Sequence, residues 1–322
     1  MAWASGAPQE TPLLPLLRCQ FDLVCDKGLI YTDTESPVRD KADFAVKIPT
    51  QHFEGQKFAA YPDPDAVEMP RNTSNWLYHK NFVGFIPAWD HLFKSGIAGD
   101  YDWVINVEAD MALFRNGLDT VLAPFTSSRT QAATVVALGN AFAFNKMARR
   151  QMSEYWAKGV PTHPNGCPKF FKLNSNPDHA VFTSCSQDQI YPSMFAPGGP
   201  VPGVAMDGKP QCGWKDTADR CMELHPLREL SRFVASKTKC PECLAGDDGV
   251  FALIKQAKEA RDENAFLDSI KDKSEQFSNL AKKVYWGRNA AIWHHVVNVK
   301  AFKTLFENFG SDFPPTMSAL GC

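Results

Sequence analysis

The stretch YDWVINVEADMALF, Tyr101 to Phe114, constrains this chain more than any other. The β-branched, near-continuous apolar run from Trp103 to Val107 predicts a strand in a sheet that is covered on both faces. Glu108 and Asp110 follow at once. In an open α/β sheet, ligands bind beyond the carboxyl ends of the strands, so residues that close a core strand are delivered to a site. Positions two apart in extended chain share a face, and two carboxylates on one face can hold a hard divalent cation, which prefers oxygen ligands. The competing readings are a pair of solvated turn acids, or acids at the N-terminus of a helix ALFRNGLDTVL, stabilised there by the helix dipole.

Elsewhere helices and short strands alternate without internal repeat or low-complexity block, the pattern of an α/β domain. LIYTDTE (Leu29 to Glu35) reads as a short strand with a Ser-Pro stop, and the chain to about Pro70 is turn-rich. Phe82, Phe85, Ile86, Trp89 and Leu92/Phe93 fall on one helix face, with Gly96 as its C-cap. TVVALGNAFAFN reads as one strand interrupted by Gly139, where a glycine would let backbone approach a ligand, followed by the helix KMARRQMSEYW. Residues 159 to 210 are loop-rich. LAGDDGVFALIKQAKEARDE predicts a later helix, and AAIWHHVVNVKAFKTLFENF a last strand leading into an amphipathic helix. One domain is expected over 25–310, between an N-terminal segment 1–24 and a tail 311–322. The first segment reads as a helix alone, so the opening strand of the sheet is expected to be missing, by truncation or because base recognition is built differently.

The 34 basic and 36 acidic residues leave a net charge of -2, which gives no basic surplus for a nucleic-acid partner. No apolar run approaches the roughly 20 residues that cross a bilayer, and TPLLPLLRCQ is too short and proline-broken for a signal peptide. Any membrane tether is expected outside this chain. Nine cysteines favour an oxidising lumen, and the odd count leaves at least one unpaired if the rest bridge. Cys240-Pro-Glu-Cys243 has metal-ligand spacing, with Cys212 and Cys221 available to complete a zinc site; two disulfides, or a local bridge plus free thiols, account for the same residues. Asn72-Thr73-Ser74 fits a glycosylation acceptor.

Taken in order, AWDHLF, YDWVINVEADMALF, VALGNAFAFNKMA, SCSQDQIYPSM and AAIWHHVVNVKAF resemble the motif series of GT-A-fold glycosyltransferases. Within that class the AWDHLF to ALF block is similar to a group of algal and protist proteins with a YDW-V-K-V-D-x-D core. The resemblance implies a GT-A-like, Rossmann-like α/β fold with a mixed, mostly parallel sheet flanked by helices. It implies transfer of a sugar from a nucleotide-diphosphate donor to a hydroxyl on a glycan, protein or lipid acceptor in the Golgi or ER lumen, and an aspartate poised to take the acceptor's proton as attack proceeds is consistent with inversion. It implies a divalent cation, manganese or magnesium. Asp110 matches the last acid of Asp-x-Asp, and Glu108 stands where the first aspartate usually sits. Gly139 and Asn140 match a glycine loop near the acceptor. Asp188 matches the acid that acts as general base, preceded by Gln187 where glutamate is frequent. His294 or His295 matches the C-terminal histidine that completes the metal site.

Neighbouring side chains on a strand face opposite ways, so only one of His294 and His295 can point into that site without distortion; His294 is preferred. Arg288 and Lys300 flank the histidines and are candidates for phosphate contact, with Asp247 and Asp248 in reserve as bases. The alternative function is a GT-A-shaped protein that binds sugar or nucleotide without turnover, favoured by Glu at 108 and Gln at 187. A cysteine-rich zinc scaffold is a third class.

Overall fold

The computed structural model describes residues 1–8, 10–48, 57–58, 67–68, 74–126, 132–159, 187–207, 223–224, 247–288, 290–294, 296 and 299–309. In chain order the strands are β1 (Ala2–Trp3), β2 (Ile30–Asp33), β3 (Phe44–Val46), β4 (Lys57–Phe58), β5 (Val67–Glu68), β6 (Trp103–Glu108), β7 (Ala112–Leu113), β8 (Ala133–Ala137), β9 (Phe142–Asn145), β10 (Val204–Asp207), β11 (Glu223–Leu224) and β12 (Ile292–Trp293). The helices are α1 (Leu14–Val24), α2 (Ser74–Ser95), α3 (Arg115–Thr126), α4 (Lys146–Ala157), α5 (Gln187–Phe195), α6 (Asp247–Glu259), α7 (Glu263–Ile270), α8 (Glu275–Gly287) and α9 (Val299–Phe309). Among the described residues no helix is long and apolar enough to cross a membrane.

The chain divides into two compact units, where the sequence reads as one domain. The first is Met1–Thr11, Leu29–Ala109 and Phe125–Gly208; the second is Pro12–Gly28, Asp110–Pro124 and Lys209–Cys322.

The first unit holds a seven-stranded sheet in the order β10-β8-β9-β6-β1-β2-β3. β9 runs antiparallel to both its neighbours and every other pair is parallel, so the sheet is mixed and mostly parallel, of the Rossmann-like kind. The expectation of a missing opening strand is corrected here. Ala2–Trp3 lies between β2 and β6, with Trp3 opposite Glu108. Its ladder is extended by Ala2 N–H to Leu29 O and Ala4 N–H to Tyr31 O, both 2.8 Å, and the Met1 ammonium donates to Ile105 O at 2.6 Å. Two residues show no period, which is why pattern alone misses the strand.

The single strand expected over TVVALGNAFAFN is also corrected, to a hairpin of β8 and β9. Leu138 N–H donates to Ala141 O at 2.8 Å across the turn, and Gly139, with φ +89°, is its first central residue. Two-residue hairpin turns place glycine there because positive φ costs it no Cβ clash. Asn145 ends β9 and caps α4, its side chain accepting from Ala148 N–H at 2.8 Å. The core of this unit gathers Trp3, Tyr31, Phe142, Phe144 and Tyr191 with the inward face of α2, where Phe85, Ala88, Trp89 and Leu92 are buried at the i, i+3, i+4, i+7 spacing. Buried Arg149 on α4 donates to the carbonyls of Ala98, Tyr101, Asp102 and Phe144, fixing the turn that leads into β6. Burial lowers its pKa to about 10, with Asp102 pulling the other way.

The second unit has its own core, built from α1, α6, α7, α8 and α9 around Trp293, Phe302 and Phe306. Its sheet has the order β11-β12-β7, with β12 antiparallel to β7. Gly117 at the start of α3 packs directly on the chain entering β12: a Cβ there would stand 2.4 Å from Ala290 O.

Candidate metal centre

β6 ends at Glu108, and Asp110 follows after the buried Ala109. Asp110 does not open a helix. β7 intervenes and α3 begins only at Arg115, so the helix-dipole reading of the two acids does not describe this geometry. In the second unit, Ile292 lies opposite Leu113 and Trp293 opposite Ala112. Continuing that antiparallel register by one step brings His294 opposite Met111 and beside Asp110. Phe114 N–H to Ala291 O at 3.0 Å and Val296 N–H to Asp110 O at 2.9 Å close the pairing on either side. His294 is fully buried, and its Nε2 lies 3.5 Å from Asp110 Oδ1.

Glu108, Asp110 and His294 each offer one ligand atom, all within 4.8 Å of one another. Two carboxylate oxygens and one imidazole nitrogen are donors of the kind that divalent cations take. This group could hold a metal ion.

The segment behind Asp110 is held by a side chain that sequence pattern did not single out. Gln20 on α1 is fully buried; its Nε2 donates to Met111 O at 3.1 Å and its Oε1 accepts from Leu113 N–H at 2.8 Å. Those two backbone groups lie on the side of β7 that faces away from β12, where among the described residues no strand pairs with it, and one amide satisfies both.

In the first unit, Glu108 Oε1 accepts from Gln187 Nε2 at 3.0 Å. The same nitrogen donates to Asn140 O at 3.0 Å, while Gln187 Oε1 accepts from Asn106 Nδ2. Asn106 Oδ1 accepts from the Tyr191 hydroxyl at 3.4 Å, and that hydroxyl accepts from the Trp89 indole N–H at 2.6 Å. Tyr191 lies against Phe85, Phe142 and Phe144. Burial pushes its phenol far above the ordinary range, against a smaller downward pull from the Trp89 bond, so it stays a donor at any physiological pH. Within β6 the sequence signal for this network is Asn106, a polar residue inside an otherwise apolar strand.

No protein-family model, no curated protein and no solved structure matches the chain.

The remaining expected site residues are placed as follows. Gly139 forms the β8–β9 turn and Asn140 meets Gln187 through its carbonyl. Asp188 is the second residue of α5, which places it one position after Gln187 at a helix start. The side chains of Asp188, Asp247 and Asp248 lie outside the described residues, as do His295, Asn72, Cys212, Cys221, Cys240, Cys243 and the tail 311–322. Arg288 caps α8 and lies over the Tyr285 ring at 3.9 Å, donating to that hydroxyl at 2.7 Å. Lys300 sits over the Phe251 ring at 4.7 Å. Cys19 is disulfide-bonded and Cys25 is a free thiol.

Proposed function

We propose that this chain is a metal-dependent glycosyltransferase of the GT-A kind, moving a sugar from a nucleotide-diphosphate donor to a hydroxyl acceptor with inversion. The observation that carries the reading is the group Glu108, Asp110 and His294 following the end of β6, a central strand in a mostly parallel sheet. A divalent cation held by these three side chains would offset the charge that develops on the departing diphosphate. Asp188 is the proposed base. An acceptor hydroxyl has a high pKa, so a carboxylate beside it takes the proton as attack on the sugar proceeds. The disulfide at Cys19 supports a secretory-lumen setting, in the Golgi or ER, since such bonds persist in oxidising compartments. The sugar acceptor is a glycan, protein or lipid.

Gln187 favours a second reading. It places an uncharged amide against Glu108, where an acid at the same position would add charge to the site, and a protein that binds nucleotide or sugar without turnover needs only the metal group. Thermal-shift titration with UDP, GDP and CMP, each with and without manganese, tests both, because a ligand that binds only the folded state raises Tm. The expected result is a manganese-dependent rise with one nucleotide that is absent in Asp110→Ala and in the milder Asp110→Asn. No shift with any nucleotide refutes the site. A shift without manganese-dependent donor hydrolysis selects the binding module over the transferase.

A further inference from the structure

We propose that Gln187 is the residue that positions Glu108 for metal binding, as the last member of a hydrogen-bond chain whose direction is set at Trp89. The inference rests on the metal reading above and adds a residue to it. Trp89 Nε1–H can only donate. Its 2.6 Å bond occupies the Tyr191 oxygen as acceptor and leaves that hydroxyl's own proton for Asn106 Oδ1, at the longer distance of 3.4 Å. Asn106 therefore turns its amide nitrogen toward Gln187 and donates to Oε1. Gln187 in turn must present Nε2 on the other side, where its two protons meet Glu108 Oε1 and Asn140 O, each at 3.0 Å. The orientation of both amides thus follows from a group with only one possible role.

Burial makes this arrangement matter. Trp89 and Tyr191 are fully buried, Asn106 is 3% exposed and Gln187 8%. In such surroundings a hydrogen bond is electrostatically stronger than in water, and a chain of donors polarised toward one end delivers its effect at the terminal acceptor, here a carboxylate. A bond to one oxygen sets the plane and direction of the Glu108 carboxylate before any ion arrives. The same amide ties down the Gly139–Asn140 turn and opens α5, so the end of β6, the β8–β9 turn and the residue before Asp188 share one fixed point. Glutamate at 187 could accept from Asn106 but would bring no proton to Glu108. Methionine has the length and neither donor nor strong acceptor.

Mn2+ binding, read at 25 °C as the loss of the free-ion EPR signal, separates positioning from mere structural support. Wild type, Gln187→Met, Gln187→Asn, Glu108→Gln and the double variant Glu108→Gln/Gln187→Met are compared, each with Tm and circular dichroism to confirm folding. Outer partners of metal ligands typically contribute about 10–100-fold to affinity, and Gln187→Met is expected to weaken Mn2+ by about that factor. Gln187→Asn keeps the amide in its polar surroundings but is one methylene short of Glu108, so it weakens binding in the same direction and is the readable variant if methionine does not fold. In the Glu108→Gln background the methionine change adds no further loss, because its path to the ion is already removed. A merely structural role lowers Tm in both backgrounds and leaves the affinity of the folded protein untouched. Wild-type affinity in Gln187→Met, or an equal loss in both backgrounds, overturns the inference. If Asp110→Asn abolishes binding while the Gln187 variants keep it, the metal reading stands and this one falls; if wild type binds no Mn2+, both fall.

Discussion

Gln20 provides a quantitative test of how the chain behind Asp110 is held. In an antiparallel pair, backbone groups alternate between facing the partner strand and facing away. Phe114 N–H faces β12, so Met111 O and Leu113 N–H face the other way, where among the described residues no strand pairs with β7. Gln20 meets both with one amide at 3.1 and 2.8 Å, and Met111 and Leu113 are buried to within 1%. Gln20→Leu conserves volume and removes both bonds. A buried N–H left without a partner costs about 1–3 kcal/mol, and the lost carbonyl bond roughly 1 kcal/mol more. Apolar burial of the leucine offsets part of this, so a net loss of about 2–3 kcal/mol is expected, with Gln20→Glu worse because its second oxygen would face the Met111 carbonyl. Urea unfolding followed by circular dichroism gives the stability change, and amide exchange at Leu113 reports the bond itself. Mn2+ affinity should fall as well, since Met111 adjoins Asp110. The reasoning is refuted if Gln20→Leu is within about 0.5 kcal/mol of wild type, the range of an inconsequential surface change, with Leu113 exchanging at the wild-type rate.

Two further predictions address the two units separately. In the first, Tyr31 and Tyr191 have phenol pKa values raised by burial, with Asp43 adding to the rise at Tyr31. Their folded forms hold protons that the unfolded chain releases above about pH 10, so their contribution is full below that pH and is lost as pH climbs toward the folded values. Spectrophotometric titration should show these two phenols ionising only with alkaline unfolding, and Tyr191→Phe should flatten the decline; free titration of all seven tyrosines in the folded protein would refute the burial argument. In the second, Gly117→Ala places a Cβ 2.4 Å from Ala290 O. Such overpacking typically costs about 1–3 kcal/mol, and because Ala290 leads into the strand that His294 follows, Mn2+ binding should weaken too; an unchanged Tm would show that this approach is not tight.

What the sequence made legible was the part that short-range rules govern. The β-branched run of β6, the helix face of α2 with its C-cap Gly96, and the helix α4 after Asn145 are all written in stretches of a few residues, where hydrophobic period and capping chemistry decide. Glu108 and Asp110 were legible for the same reason, since their spacing and their place after a strand are local facts. His294 was reachable only through the resemblance: its proximity to Asp110 is set by the β7–β12 register across about 180 residues of chain, and no local pattern encodes a register. β1 was missed because two residues carry no period and its partners are donated by β2 and β6.

Gln20, and the hydrogen-bonding role of Gln187, were not legible for a different reason. Glu108 closes β6 and Asp110 follows, with only Ala109 between them. Charged groups at such a place need their geometry imposed, because a carboxylate at a strand end can turn and hydrate unless buried donors hold it. Neutral amides impose it: Gln187 on the Glu108 oxygen, Gln20 on the peptide groups that follow Asp110. An amide suits both tasks because it donates and accepts in one plane, matching a carboxylate and carbonyl in one case and a strand edge in the other. Neither role depends on neighbours in sequence, as Gln20 and Gln187 act at separations of 91 or more and 79 residues. A buried glutamine whose partners lie far away in sequence is therefore the kind of residue to examine when two acids at a strand end are suspected of holding an ion.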